Sequence, residues 1–222
     1  MRSVALIRPL LLSILLSAPL ALPGCFSGLN SRMPVQQRYV LQPTAARAAQ
    51  PSATQASATQ PSGALQVLRP TAAPGLAGEG IAVLRAGARL DYYSNARWAS
   101  DAPASLQSQV VESLRAGGRF AMVEAEGGPF ASQYLLSLEL THFEARYQGE
   151  GPPTVEVALV ASLGRRNDRS VIVSFTAQSA VRAEADRMQS VMAAFEQATG
   201  EVLAQLSANI GPPESVAAAA AH

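Results

Sequence analysis

Tyr134-Leu135-Leu136-Ser137-Leu138-Glu139-Leu140-Thr141-His142-Phe143-Glu144 decides how this chain folds. Leu136, Leu138 and Leu140 fall on one side of an extended backbone and Ser137 and Glu139 on the other, the period of two of a half-buried strand. The pattern recurs downstream. Val155, Val157, Leu159, Ala161 and Leu163 alternate with Glu156, Ala158, Val160 and Ser162, and Val171, Val173 and Phe175 alternate again. The polar stretch Gly164 to Ser170 joins the last two as a hairpin.

Shorter elements lie upstream. Leu65-Gln66-Val67-Leu68-Arg69-Pro70 reads as a strand, followed by the loop Pro74-Gly75-Leu76-Ala77-Gly78. Ile81 to Leu84 and Arg89 to Tyr93 read as two strands around a turn at Gly87. Asp101 is placed to cap a helix with Pro103 in its first turn. Leu106, Val110 and Leu114 recur along it, and Gly117-Gly118 stops it. Phe120 to Glu124 is another short strand. A long helix follows from about Asp186 to Ser207, with an apolar stripe of Met188, Val191, Met192, Phe195, Ala198, Val202 and Leu206. Gly200 lies inside that helix and predicts a kink or a close contact there. This order predicts an α+β two-layer sandwich, in which two helices cover one face of a mixed or mostly antiparallel sheet of about five to six strands.

The N-terminal region has a different character. Arg2 and Arg8 precede an uncharged apolar run from Leu10 to Leu22, the layout of a secretory signal peptide. The run is too short to cross ~30 Å of hydrocarbon. It ends in Leu22-Pro23-Gly24-Cys25, which resembles the bacterial lipobox, and Cys25 is the single cysteine of the chain. That resemblance implies cleavage after residue 24 and acylation of Cys25, giving a lipid anchor in which each buried CH₂ adds ~0.8 kcal/mol. Phe26 stands where an aspartate usually signals retention at the inner membrane, so the expected location is the periplasmic face of the outer membrane of a Gram-negative cell. The expected organisation is a signal peptide over 1–24, a tether and low-complexity linker over 25–64, a folded domain over 65–210 and a disordered tail over 211–222. Within the linker, Arg38-Tyr39-Val40-Leu41 is a β-like island. The Ala, Gln, Ser, Thr and Pro of Thr44 to Gly63 bury too little apolar area to order the chain.

Composition excludes several functions. The net charge is +1 and falls to about −1 once Arg2 and Arg8 are removed, which gives nucleic acid no basic face to bind. There is no lysine, so no Walker P-loop and no ATPase. The histidines are His142 and His222 only, and no Gly-x-Ser-x-Gly elbow occurs. No cofactor, metal or catalytic residue is expected. His142 reads as a half-exposed residue of the leucine-rich strand, with a pH-sensitive group as the sharper reading. Tyr92, Tyr93, Arg97 and Trp98 are the densest aromatic cluster. They are read either as an interface or as core packing behind the first helix. Arg165, Arg166 and Arg169 sit at the predicted hairpin tip, where solvation is the plain reading and contact with phospholipid headgroups the functional one. Met188 and Met192 are read as core, or as the lining of an adaptable apolar groove.

Several stretches in order resemble one family. They are Tyr39-Val40-Leu41, Pro74-Gly75-Leu76 before Ile81-Ala82-Val83, Leu90 to Tyr93 leading into Ala96-Arg97-Trp98-Ala99, Leu114 with Gly118-Arg119-Phe120, Tyr134 to Ala145, and Ala193 to Ala198. The series is similar to the ABC-type transport auxiliary lipoproteins, the PqiC-like group, from about Tyr39 to Leu206. The resemblance implies a non-catalytic component of an envelope lipid-transport system. Its implied partners are an MCE-domain membrane protein with its ABC permease and ATPase, and a ring-like homo-oligomer. A second expectation comes from outer-membrane lipoproteins that activate cell-wall synthases, which also carry a polar linker. Tether length discriminates the two, because an activator must cross the peptidoglycan.

Overall fold

The computed structural model describes residues 36–42 and 63–211. The expected signal peptide, Cys25, nearly all of the Thr44 to Gly63 stretch and the tail from residue 212 lie outside the described residues. Strands β1 (Gln37–Tyr39), β2 (Ala64–Val67), β3 (Thr71–Ala72), β4 (Gly80–Arg85), β5 (Arg89–Trp98), β6 (Met122–Ala125), β7 (Tyr134–Arg146), β8 (Thr154–Arg165) and β9 (Val171–Arg182) form one mixed sheet. The helices are α1 (Ala102–Gly117) and α2 (Met188–Asn209). The α+β class with two helices stands, but the sheet has nine strands, not five to six. Among the nine, β1, which overlaps the β-like island Arg38 to Leu41, and β3 are three and two residues long, too short to show an alternation of their own.

Strand β7 organises the sheet. One edge pairs antiparallel with β8, which pairs antiparallel with β9. Its other edge takes three parallel partners in succession: β2 beside Tyr134–Leu136, β3 beside Glu139 and Leu140, and β4 beside Glu144–Arg146. Beyond these, β6 lies parallel to β2, and the antiparallel partner of β4, strand β5, carries β1 parallel on its far side. Pro70 has no N–H for the ladder and falls in the gap between β2 and β3. The outer edge of β9 is partly closed by α2: Gln205 Nε2 donates to Gln178 O (2.9 Å) and its Oε1 accepts from Gln178 N (3.0 Å), standing in for a neighbouring strand.

A bulge makes the alternation work over the full length of β7. Leu140 pairs with Leu159, but His142 pairs with Ala158, so Thr141 is extra. Before the bulge the core face carries Leu136, Leu138 and Leu140, and after it Phe143 and Ala145. Without that shift Phe143 would face out of phase with Val157, its buried partner. The inward residues of β7 and β8 share one core with Leu106, Val110 and Leu114 of α1 and with Phe195, Val202 and Leu206 of α2. Gly200 is buried within an uninterrupted α2, Met192 packs in the core, and the partly buried Met188 packs against it.

Residues 37–41, upstream of the expected domain start at Leu65, are integral to the fold. Tyr39 lies beside Trp98, Leu41 is buried, and Gln109 Nε2 donates to Leu41 O (2.9 Å). Helix α1 begins as its sequence predicts: Asp101 Oδ1 accepts from Ala104 N (2.9 Å) and from Arg69 Nη2 (2.6 Å), and Gly118 closes the helix at φ 62°. Helix α2 starts at Met188 and not at Asp186, whose carboxylate instead accepts the Tyr147 hydroxyl (2.6 Å).

The cap carries a prediction with a defined pH dependence. Burial pushes the Asp101 carboxyl up, but the Ala104 N–H and the Arg69 guanidinium outweigh it and hold the group below the usual aspartate range. A folded pKa below the unfolded one stabilises at pH values above the unfolded pKa of about 4, and the effect is lost as pH falls through the folded value. Asp101→Ala is expected to cost about 1 kcal/mol at neutral pH. Urea denaturation of both proteins should show the gap closing below about pH 4, and a gap unchanged down to that range would remove Asp101 as a charged cap.

Candidate interaction site

The sequence-predicted aromatic cluster divides across an irregularity of β5, whose pairing with β4 shifts between Gly80–Arg97 and Ala82–Tyr92. Trp98 is 3% exposed and packs into the core, its ring 5.2 Å from both Phe143 and Phe195. Tyr92, Tyr93 and Arg97 line a groove of about 430 Å³ with Gly75, Ala77, Gly78, Glu79 and Gly80. Glycine shapes this groove: a Cβ on Gly80 would stand 2.6 Å from the Tyr92 ring. The Tyr92 hydroxyl donates to Gly75 O (2.9 Å), which fixes the loop against the strand.

Tyr93 belongs to a polar chain at the upper end of β5 and β7. Its hydroxyl lies 3.0 Å from that of Tyr147, which donates to Asp186, and the Arg85 guanidinium covers the Tyr147 ring at 5.0 Å. Burial raises both phenols, and at Tyr147 the hydrogen bond to Asp186 raises it further. An acid whose folded pKa lies above its unfolded value stabilises below that unfolded value and loses the contribution as pH rises. Stability is therefore expected to fall above about pH 10. Tyr147→Phe should cost about 1 kcal/mol at pH 7 and flatten this alkaline limb, as read by denaturation at both pH values.

The three arginines of the β8–β9 turn have different surroundings. Arg166 is held by neutral acceptors, Nε to Ser132 O (3.1 Å) and Nη2 to Ser132 Oγ (2.8 Å) and Gln66 Oε1. Arg169 sits at φ 58°, in a turn where Asp168 Oδ1 accepts from Ser170 N (3.0 Å) and Ser170 Oγ (2.7 Å). Arg165, Arg166 and Asn167 line a cavity of about 400 Å³ with Ser132, Gln133 and Tyr134.

A charged group that sequence reasoning missed lies on the open face of the sheet. The Thr141 bulge turns His142, Glu144 and Arg146 away from the core, opposite Glu156. Glu144 is buried and accepts from Phe143 N (2.7 Å), His142 Nδ1 (2.9 Å) and Arg146 Nη2 (3.3 Å), and Arg146 also reaches Glu156 (2.7 Å). His142 itself is 46% exposed. Ligand atoms of His142, Glu144 and Glu156 lie within 4.8 Å of one another. The Arg146 guanidinium already joins the two carboxylates, so the arrangement is an ion-pair network and a divalent cation would have to compete with it. The sequence signal was the run His142-x-Glu144-x-Arg146, which only the bulge makes legible as one outward face.

Grooves, an open sheet face and charge at strand ends are the equipment of a binding module. The sequence model of one family, described as the ABC-type transport auxiliary lipoprotein component, matches residues 39–207. The chain belongs to that family, which is that of an accessory lipoprotein of an ABC transport system. Among solved structures, it is similar to protein XCC0632 from Xanthomonas campestris, at 28% identity and a TM-score of 0.63, covering 78% of this chain and 90% of that one. An uncharacterised protein shares the fold at 16% identity and a TM-score of 0.60, covering 80% and 99%. PelC from Paraburkholderia phytofirmans, crystallised as a dodecamer, is more distant, at 20% identity and a TM-score of 0.40 over 64% and 85%. At that distance the likeness carries nothing about this chain's own assembly. No curated protein matches the chain.

Proposed function

We propose that this protein docks or assembles an ABC/MCE-type lipid transporter, without bond chemistry of its own, from the periplasmic face of the outer membrane. The observation that carries this reading is the family match over residues 39–207. Acylated Cys25 is the anchor in this proposal, and an MCE-domain protein with its permease and ATPase is the partner. A ring of identical subunits is the assembly that the family resemblance implies. The groove of Tyr92, Tyr93 and Arg97 is the proposed protein contact, because exposed tyrosine and arginine anchor interfaces well.

The pairing of β1 with β5 bears on the alternative role in cell-wall synthesis. It leaves eleven residues, 26–36, between Cys25 and the fold, so the two lie at most ~40 Å apart. A short tether suits a protein that works close to its membrane. The decisive experiment is a crosslinked pull-down of the acylated protein from native membranes, with mass spectrometry of what accompanies it. Recovery of an MCE-domain protein supports the transport reading, and recovery of a penicillin-binding protein replaces it with the activator. Cys25→Ser is expected to leave a folded protein that no longer fractionates with the membrane, and a mutant that is still acylated and membrane-bound would overturn the anchor.

A further inference from the structure

The end of the sheet where β7 begins brings exposed apolar side chains, a basic turn and a cavity together. Tyr134 pairs with Arg165 there, so the turn Arg166–Ser170 and the loop entering β7 lie side by side. Phe130 in that loop is 61% exposed and Val171 at the foot of β9 is 66% exposed. Isolated exposed apolar residues need no explanation, but two large ones flanking a basic turn at one tip form a pattern.

The tip also concentrates basic charge, with three arginines within five residues. Arg38, Arg69, Arg85, Arg89 and Arg146 each form an ion pair with a carboxylate. Arg165, Arg166 and Arg169 are not among the ion-paired arginines of the described residues. Arg166 is positioned by the neutral oxygens of Ser132 and Gln66, which hold the guanidinium still without cancelling its charge. Asp168 is the one acid of the turn; hydrogen bonds from Ser170 and the nearby Arg165 keep it ionised, so three arginines and one carboxylate leave the turn net positive. Between the arginines and Tyr134 lies the cavity of about 400 Å³, with Arg165 and Arg166 in its lining.

We propose that this tip is a contact for an anionic phospholipid surface. Phe130 and Val171 enter the acyl boundary, Arg165 and Arg169 meet phosphates, and Arg166 holds the loop and the turn in one arrangement. Apolar side chains ringed by guanidinium groups match an interface that is oily below and negatively charged above. The occupant follows from chain length as well as charge. Gln37 enters the sheet near the level of Gly80, which is close to His142 on β7, and the eight residue steps from Tyr134 to His142 span ~26 Å. The ~40 Å reach from Cys25 to Gln37 through residues 26–36 exceeds that distance, so a protein held at Cys25 can rest this tip on the membrane that anchors it. In this last step the inference rests on the lipid anchor proposed above.

The test uses tryptophan depth. Trp98 is buried and serves as an internal reference. The full-length protein, unchanged and as Phe130→Trp, is incorporated into vesicles of phosphatidylethanolamine and phosphatidylglycerol with either brominated or plain acyl chains. The expected result is emission from Trp at position 130 that shifts to the blue and is quenched by brominated lipid, while Trp98 is not. Adding Arg165→Gln and Arg169→Gln should lower the ratio of docked to free tip by roughly fivefold for each arginine removed. Equal emission on brominated and plain vesicles would overturn the proposal and direct attention to a protein partner for this end. So would full quenching in the double arginine variant. Flotation of the same samples reports the anchor separately, so loss of the anchor, loss of the tip contact and failure of the pull-down are three distinguishable outcomes.

Discussion

Phe195→Ala is expected to destabilise the domain by about 3–5 kcal/mol, the largest single effect in the molecule. Phe195 is fully buried on α2, with its ring 5.2 Å from Trp98 and 5.2 Å from Phe143 in edge-on arrangements. These three residues come from β5, β7 and α2, so the truncation empties the point where the helix layer meets two parts of the sheet. The lost transfer energy and the cavity add, and a pocket lined by large aromatics collapses poorly. Chemical denaturation followed by Trp98 fluorescence measures the loss directly, because the reporter borders the cavity. A loss below about 1.5 kcal/mol would mean that α2 repacks, and that the aromatic cluster does not fix the helix on the sheet.

Arg146→Ala is the second large effect, expected at about 3 kcal/mol. Arg146 is partly exposed, and its removal would cost little if it were an ordinary surface residue. Its importance comes from Glu144, which is buried and keeps only His142 Nδ1 and the Phe143 N–H once the guanidinium is gone. Glu156 loses the same cation. A buried carboxylate without its countercharge is the costly species, not the missing arginine. The combination Arg146→Leu with Glu144→Leu should therefore recover most of the loss, since it removes both charges and leaves apolar volume. A double variant no more stable than Arg146→Ala would show that the network stabilises the bulge through its hydrogen bonds, not through its charge balance.

Much of the fold was legible because it rests on local pattern. The two leucine- and valine-rich strands, their hairpin, both helices and the Asp101 cap each follow from residues within one element. Strands β1 and β3 were not legible as part of the sheet, since a strand of two or three residues has no periodicity and exists only because β5 and β7 offer it an edge. The Thr141 bulge was equally invisible. Its position depends on which residue of β8 opposes which residue of β7, and nothing in Leu140-Thr141-His142 alone requires it. The charged network on the open face inherits that dependence.

The same division applies to function. The lipobox-like Leu22 to Cys25, the lack of lysine, the single internal histidine and the ordered family stretches are properties of the chain itself, readable without coordinates. They set the expected class of protein, because a candidate anchoring motif and the side chains available for chemistry are matters of which residues are present. Tertiary structure decided which of the conspicuous side chains reach the surface. It buried Trp98 and left Tyr92 and Arg97 outside: Arg97 points opposite to its neighbour Trp98, and the register shift between Arg97 and Tyr92 breaks the alternation that would otherwise put Tyr92 on the face of Trp98. It brought Phe130 to the Arg165–Arg169 turn through the pairing of Tyr134 with Arg165, residues far apart in sequence that meet only because β7 and β8 run antiparallel. Composition fixes what a chain has available, and the pairing of distant strands determines what it presents together.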